Sequence, residues 1–291
     1  MQMTLVMFCM FVLVPGTPSR GTELKQETAA SFDRYIRAVE ARLDDDINRD
    51  QFLAVDRLPD ARRQQAYNQL RHGQIYIDEL HARENDHSIR VPNGHIHHWV
   101  GIIFIPDATL PEASAVLHDY ANQQDLYKPQ VRRSQLIEQS GSDSKIYLQL
   151  FNDAVVTVVL NAYFDVNDVD FGSIRHQIEV RSTRIAEVAN PGKPDEQERP
   201  PGNDHGYMWR FNSYWRVEEK DGGVYVQNES VVLSRTSPAV LAWLINPMTK
   251  KISRNILLNL LKDARNAAMS SKGHIHSSLE TDRASEASHG Q

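Results

Sequence analysis

What most constrains this chain is the order of its patterns from residue 97 onward: a strand, short helices, a run of strands joined by tight turns, and one long final helix. His97–Ile105 is rich in β-branched and aromatic residues and stops at Pro106. Thr109 can cap a helix whose third residue, Glu112, completes a capping box. Val131–Gln139 and Lys145–Phe151 flank Ser-Gly-Ser-Asp, a hairpin connection. Val155–Phe164 is apolar on both faces and predicts a central, doubly covered strand. His176–Val188 alternates Ile178 and Val180 with Glu179 and Arg181, so one of its faces is wet. Tyr207–Glu219 and Val224–Ser234 form a hairpin around Asp221-Gly222-Gly223. Ser237-Pro238 opens the last helix, with an apolar face from Leu241 through Ile252, Ile256 and Leu260, and Pro247 is expected to kink or split it. Consecutive antiparallel strands followed by a helix predict an α+β fold, a curved antiparallel sheet gripping a long C-terminal helix.

Upstream, Phe32, Ile36, Val39 and Leu43 make the stripe of an amphipathic helix over 28–43, and Asp44-Asp45-Asp46 is a poor continuation. Asp60–Leu70 predicts a second helix with Asp60 as its cap, and Gln74–Leu80 an edge strand. A polar linker at Glu84–Pro92 sets the expected division: 22–90 a helical extension, 91–268 the main domain, 269–291 a disordered tail. Residues 190–204 carry four prolines and two glycines among charges, the composition of a mobile loop. Residues 1–21 are a candidate signal peptide. Met3–Val14 is nearly all apolar, too short for a span of about 20 residues but the length of a secretory core. No Lys or Arg precedes it and no small-residue cleavage site follows. The expectation is a secreted or periplasmic protein if that segment is cleaved, a cytoplasmic one otherwise.

Element order, together with His97-His98-Trp99-Val100-Gly101, Leu117-His118-Asp119-Tyr120, Tyr214-Trp215-Arg216, Gly222-Gly223-Val224-Tyr225 and the final helix, resembles the START-like superfamily of polyketide cyclases and lipid-transport proteins. The resemblance covers roughly residues 94–265. It implies a hydrophobic-ligand cavity between sheet and final helix and leaves the reaction, if any, open.

Net charge is −6, from 32 basic and 38 acidic side chains, so there is no basic footprint for nucleic acid and no cationic run for an anionic membrane. Cys9 is the only cysteine, which excludes disulfides and cysteine-ligated zinc. No P-loop, G-x-G-x-x-G, H-E-x-x-H or G-x-S-x-G is present. His95 and His97 share a strand face, but no third ligand is placed by spacing; His274 and His276 fall in the tail. Asp165, Asp168 and Asp170 look like a solvated turn. Neither a metal nor a cofactor is therefore expected.

The candidate ligand-binding residues come from the strands. Trp209, Phe211 and Trp215 share one face of 208–217 with Ser213 and Val217, a core or a pocket wall. Arg210 and Tyr214 share the other; there Arg210 or Arg216 either faces solvent or pairs with Glu229 inside the grip to orient a polar head. Tyr147, Asn161 and Tyr163 lie in or beside apolar strands, where polar groups can fix a ligand's orientation. The leading expectation is a binder of a hydrophobic, lipid-like small molecule. A cyclase/dehydratase-type enzyme and a structural or interaction module with a filled core are the alternatives. Protein partners are not legible.

Overall fold

A computed structural model of the chain describes residues 23–85, 87–153, 157–236 and 250–270. The candidate signal peptide, the start of the final helix with Pro238 and Pro247, and residues 271–291 of the tail lie outside the described residues, while 269 and 270 of the expected tail are helical. In order come α1 (Gln26–Asn48), a 3₁₀ turn (Ala54–Arg57), α2 (Asp60–Arg71), β1 (Tyr76–Glu79), the two-residue strands β2 (Arg83–Glu84) and β3 (His87–Ser88), and β4 (Gly94–Pro106). Then follow α3 (Leu110–His118), α4 (Gln123–Leu126), β5 (Val131–Ser140), β6 (Asp143–Asn152), β7 (Val158–Asp170), β8 (Arg175–Ala189), β9 (Gln197–Glu198), β10 (Arg210–Lys220) and β11 (Gly223–Arg235). A helix over 250–270, α5, ends the described chain.

The main sheet runs β1-β4-β11-β10-β8-β7-β6-β5, with β9 added beside β8. Its neighbours are antiparallel. The β10–β11 turn follows from its sequence: Asp221 and Gly222 both take positive φ, 58° and 74°, as a two-residue hairpin that matches strand twist requires. Side chains from β4, β6, β7, β8, β10 and β11 line one space together with α5, so the sheet curls around that helix. The α+β helix-grip architecture expected from the pattern order is the one observed.

Both faces of the sheet are covered. On one, Leu257, Leu261 and Ala268 of α5 and Leu110, Ala113 and Leu117 of α3 pack against Ile103, Phe164, Ile178 and Val217. On the other, α1 lays Phe32, Tyr35, Ile36, Val39 and Leu43 on Tyr214, Val231 and Leu233. Phe52, Leu53 and Val55 of the 3₁₀ segment and Tyr67 and Leu70 of α2 pack on Val100, Ile102, Phe104 and Tyr225.

Four local expectations change. Helix α1 continues past the three aspartates, because Asp46 is buried between Arg42 (3.0 Å) and Arg57 (3.8 Å) and Asp45 pairs with Arg49 (2.8 Å). Asp60 is the first helical residue, with Pro59 at the cap position. Strand β7 is not doubly apolar: Ala162, Phe164 and Val166 are buried, while the intervening Tyr163 and Asn167 are half-buried and Asp165 exposed. The 190–204 loop is tied down by β9, by Arg199 on Glu187 (3.0 Å) and by an Arg184–Glu198 ion pair.

Candidate functional site

Between the α5 face of the sheet and α5 lies a cavity of about 730 Å³. Most of its wall is apolar: Ile146, Leu148 and Leu150 of β6, Leu160 and Phe164 of β7, Ile178 and Val180 of β8, and Ile252, Ile256, Leu257 and Leu260 of α5. A polar stripe crosses this wall on three adjacent strands, β4, β11 and β10. It comprises His95, His97, Trp99, Asn228, Ser230, Ser234 and Ser213. The ladder sets these groups side by side, pairing Ser230 with both Ser213 and Trp99 and Ser234 with His95. Asn228 donates to Ser213 Oγ at 2.7 Å. His97 Nε2 lies 3.0 Å from Ser234 Oγ. Burial, with the neighbouring charges of His95 and Lys250, lowers the His97 imidazole to about 4, so it is neutral at neutral pH. The Trp99 indole N–H is shut off from solvent with no acceptor among the described residues, although its ring lines the cavity.

Next to Leu117 and Tyr120 of the cavity wall, three residues from three elements converge. His118, the last residue of α3, places Nε2 2.8 Å from Asp168 Oδ1, and His176 of β8 places Nε2 3.1 Å from the same oxygen. His176 Nδ1 meets Asp170 Oδ1 at 2.7 Å. Burial pushes the Asp168 carboxyl up, but the hydrogen bonds and charges of the two imidazoles outweigh it and hold it down to about 2. Hydrogen bonding to Asp168, opposed by burial and aided by Asp170, raises His176. Tyr120 lines the cavity beside this group, its ring 5.9 Å from that of His118, and its buried hydroxyl has no hydrogen-bond partner among the described residues. The sequence reading assigned Asp168 and Asp170 to a turn; they lie in β7, a correction that exposes this cluster. Period-two spacing gave no sign of it, since the three residues meet only through the β7–β8 register and the docking of α3.

The opposite face of the sheet holds a buried charge network beneath α1. Glu229, fully buried, accepts from Arg42 and lies 2.8 Å from His98 Nε2. Burial raises its carboxyl, but the His98 hydrogen bond and the charges of Arg42, His98 and Arg57 hold it down to about 2. Arg216 donates to Gln177 Oε1 (2.7 Å) and to the carbonyls of Leu43 (2.7 Å) and Phe52 (2.9 Å).

Of the residues expected to contact a ligand, Phe211 and Trp215 line the cavity. Trp209 precedes the first ladder residue of β10; its ring packs in the α1 cluster and its indole N–H donates to Asp204 at 3.3 Å. Tyr214 and Glu229 face α1, with Tyr214 donating to Glu40 (2.9 Å), so the pairing of Glu229 inside the grip is replaced by one outside it. Arg210, which the ladder pairs with Leu233, donates to the Trp209 carbonyl at 3.1 Å. Tyr147, Asn161 and Tyr163 lie on the sheet face away from the cavity, where Tyr147 donates to Asn161 (2.8 Å) and Asn161 to Glu198 (2.9 Å). The polar stripe on β4 and β11 was missed. Its signal, small hydroxyls alternating with Asn228 and Val232, was present but unweighted.

A sheet curled over a C-terminal helix with an apolar cavity between them is a helix-grip fold. No family model matches the sequence, and no curated protein matches it. Similar solved structures include a STAR-related lipid transfer protein from Xanthomonas axonopodis, with 15% identity and a TM-score of 0.44 over 66% of this chain and 98% of that one. Human STARD10 has 11% identity and a TM-score of 0.44, over 77% of this chain and 86% of that one. An aromatase/cyclase from a Streptomyces species has 12% identity and a TM-score of 0.42, over 60% and 94%. Among the described residues, no helix is long and apolar enough to cross a membrane.

Proposed function

We propose that this protein binds one amphipathic, largely apolar small molecule in the cavity, its hydrogen-bonding groups against the stripe on β4, β11 and β10. The carrying observation is the size and lining of that space. Without a ligand this space holds water against a mostly apolar wall, and covering that wall with an apolar molecule gains about 25 cal/mol per Å² removed from water. A cavity of 730 Å³ falls in the usual range for ligand pockets, about 300–1,000 Å³. The buried Trp99 N–H, with no acceptor among the described residues, and the neutral His97 suit a ligand with a carbonyl or hydroxyl rather than a charged head.

His97 is also the observation that favours a second reading, a cyclase- or dehydratase-type enzyme, because it is a perturbed imidazole facing the cavity. A general base works best with a pKa near the operating pH, and an imidazole lowered to about 4 is a weak one. Binding is therefore the stronger reading, and a module with a filled core has no place for the cavity.

Native mass spectrometry of the purified chain, followed by organic extraction, tests the proposal. The expected result is a stoichiometric apolar adduct in the unmodified chain and its loss in Ser230→Leu, which fills the stripe. An adduct retained at full stoichiometry by a folded Ser230→Leu variant would place the ligand elsewhere and overturn the proposal.

A further inference from the structure

The group formed by α3, β7 and β8 has the composition of a metal site. His118, Asp168 and His176 each offer one ligand atom, and these atoms lie within 4.8 Å of one another. Around a tetrahedral zinc ion, with bonds of about 2.0–2.2 Å, neighbouring ligand atoms stand roughly 3.3–3.6 Å apart. The two imidazole nitrogens lie 2.8 and 3.1 Å from the carboxylate oxygen, so shifts of a few tenths of an ångström would admit an ion. The outer shell is already in place. With His176 Nδ1 donating to Asp170, the Nε2 lone pair is the one on the Asp168 side, the arrangement by which a carboxylate orients a metal-ligating histidine. His176 is buried while His118 and Asp168 are half-buried, so an ion has a route in from solvent.

We infer that His118, Asp168 and His176 bind a divalent first-row transition metal of the zinc type. Two imidazoles and one carboxylate suit such an ion and not calcium or magnesium, which take oxygen ligands. Three protein ligands leave a coordination position free for water or for an oxygen of a bound molecule. Tyr120, which lines the cavity with its ring 5.9 Å from that of His118, carries a buried hydroxyl with no partner among the described residues. This inference does not depend on what fills the cavity.

The full chain, stripped with EDTA and dialysed against zinc sulfate, would be assayed by elemental mass spectrometry. One zinc per chain is expected, with an anomalous peak at the zinc edge between the three side chains in crystals. The variants His118→Gln, Asp168→Asn and His176→Gln should lose it, and Asp170→Asn should weaken it about 10–100-fold. The double variant His95→Gln/His97→Gln, which removes the other adjacent imidazole pair (rings 4.6 Å apart), should keep it. No retained zinc, equal retention by Asp168→Asn, or a peak at His95/His97 or at the tail histidines His274 and His276 would overturn the inference. Should the triad variants fail to fold, the anomalous peak in the unmodified chain decides alone.

Discussion

His97 illustrates how a single residue ties the cavity to solution behaviour. Its neighbours in the cavity region are His95, whose imidazole burial also lowers, Ser234, and Lys250, which itself pairs with Glu79 (2.9 Å). Burial disfavours the cation in the folded state, so the unfolded chain takes up a proton at this position first. Stability from this residue is therefore complete above its ordinary value of 6.5 and is lost as pH falls from there through about 4. Urea denaturation of the unmodified chain across this window should show a steeper decline than that of His97→Gln. Equal slopes would mean that the imidazole is solvated, and the stripe would lose its neutral hydrogen-bonding partner.

At the scale of elements, the approach of α5 to the sheet depends on a missing side chain. A Cβ at Gly101 would lie 2.5 Å from Leu261 Cδ1 and 3.2 Å from Leu257 Cδ2, so β4 admits the helix only because it has glycine there. Gly101→Val should push α5 outward and destabilise the fold by about 1–3 kcal/mol, the usual cost of overpacking. A denaturation midpoint equal to that of the parent would show that the helix can slide at no cost. This contact also marks the limit of what the sequence conveyed. Hairpins, capping box and the α1 stripe rest on local patterns, and each was legible: Thr109–Glu112, Asp221-Gly222, and Phe32 with Ile36, Val39 and Leu43. Period-two alternation also sorted β10 correctly into two sets from Phe211 onward. It did not say which set looks at α5, because helices cover both faces and both sets are buried. Tyr214 and Glu229 were thus assigned to the wrong side of their own strands, and Tyr147, Asn161 and Tyr163 to a cavity their strands face with Ile146, Leu148 and Leu160. His118, Asp168 and His176 come together across 50 and 8 residues, which no local period encodes.

For the whole molecule, the consequence concerns residues 23–75. They supply one covering layer of the sheet and the partners of its buried charges. Arg216 is satisfied by the carbonyls of Leu43 and Phe52, Glu229 by Arg42, and Gln227 by the Ala54 N–H at 2.7 Å. Removing them would strip Phe52, Leu53 and Val55 from the sheet, take from Arg216 its two carbonyl acceptors and from Glu229 its arginine, and leave them with Gln177 and His98 alone on a bared apolar face. Breaking one buried ion pair alone costs about 3–5 kcal/mol, a large share of the roughly 5–15 kcal/mol by which a domain is stable. A chain starting at residue 91 also loses β1, which pairs with β4 from Tyr76 to Glu79 and carries the sheet one strand further at that edge. Such a chain should therefore lack a cooperative thermal transition and near-UV circular dichroism, even though it keeps every strand from β4 on and α5. If instead residues 91–270 unfold in a single sharp transition with the parent's near-UV spectrum, the N-terminal layer is an accessory. Arg216 and Glu229 would then have to find solvent or each other on the bared face.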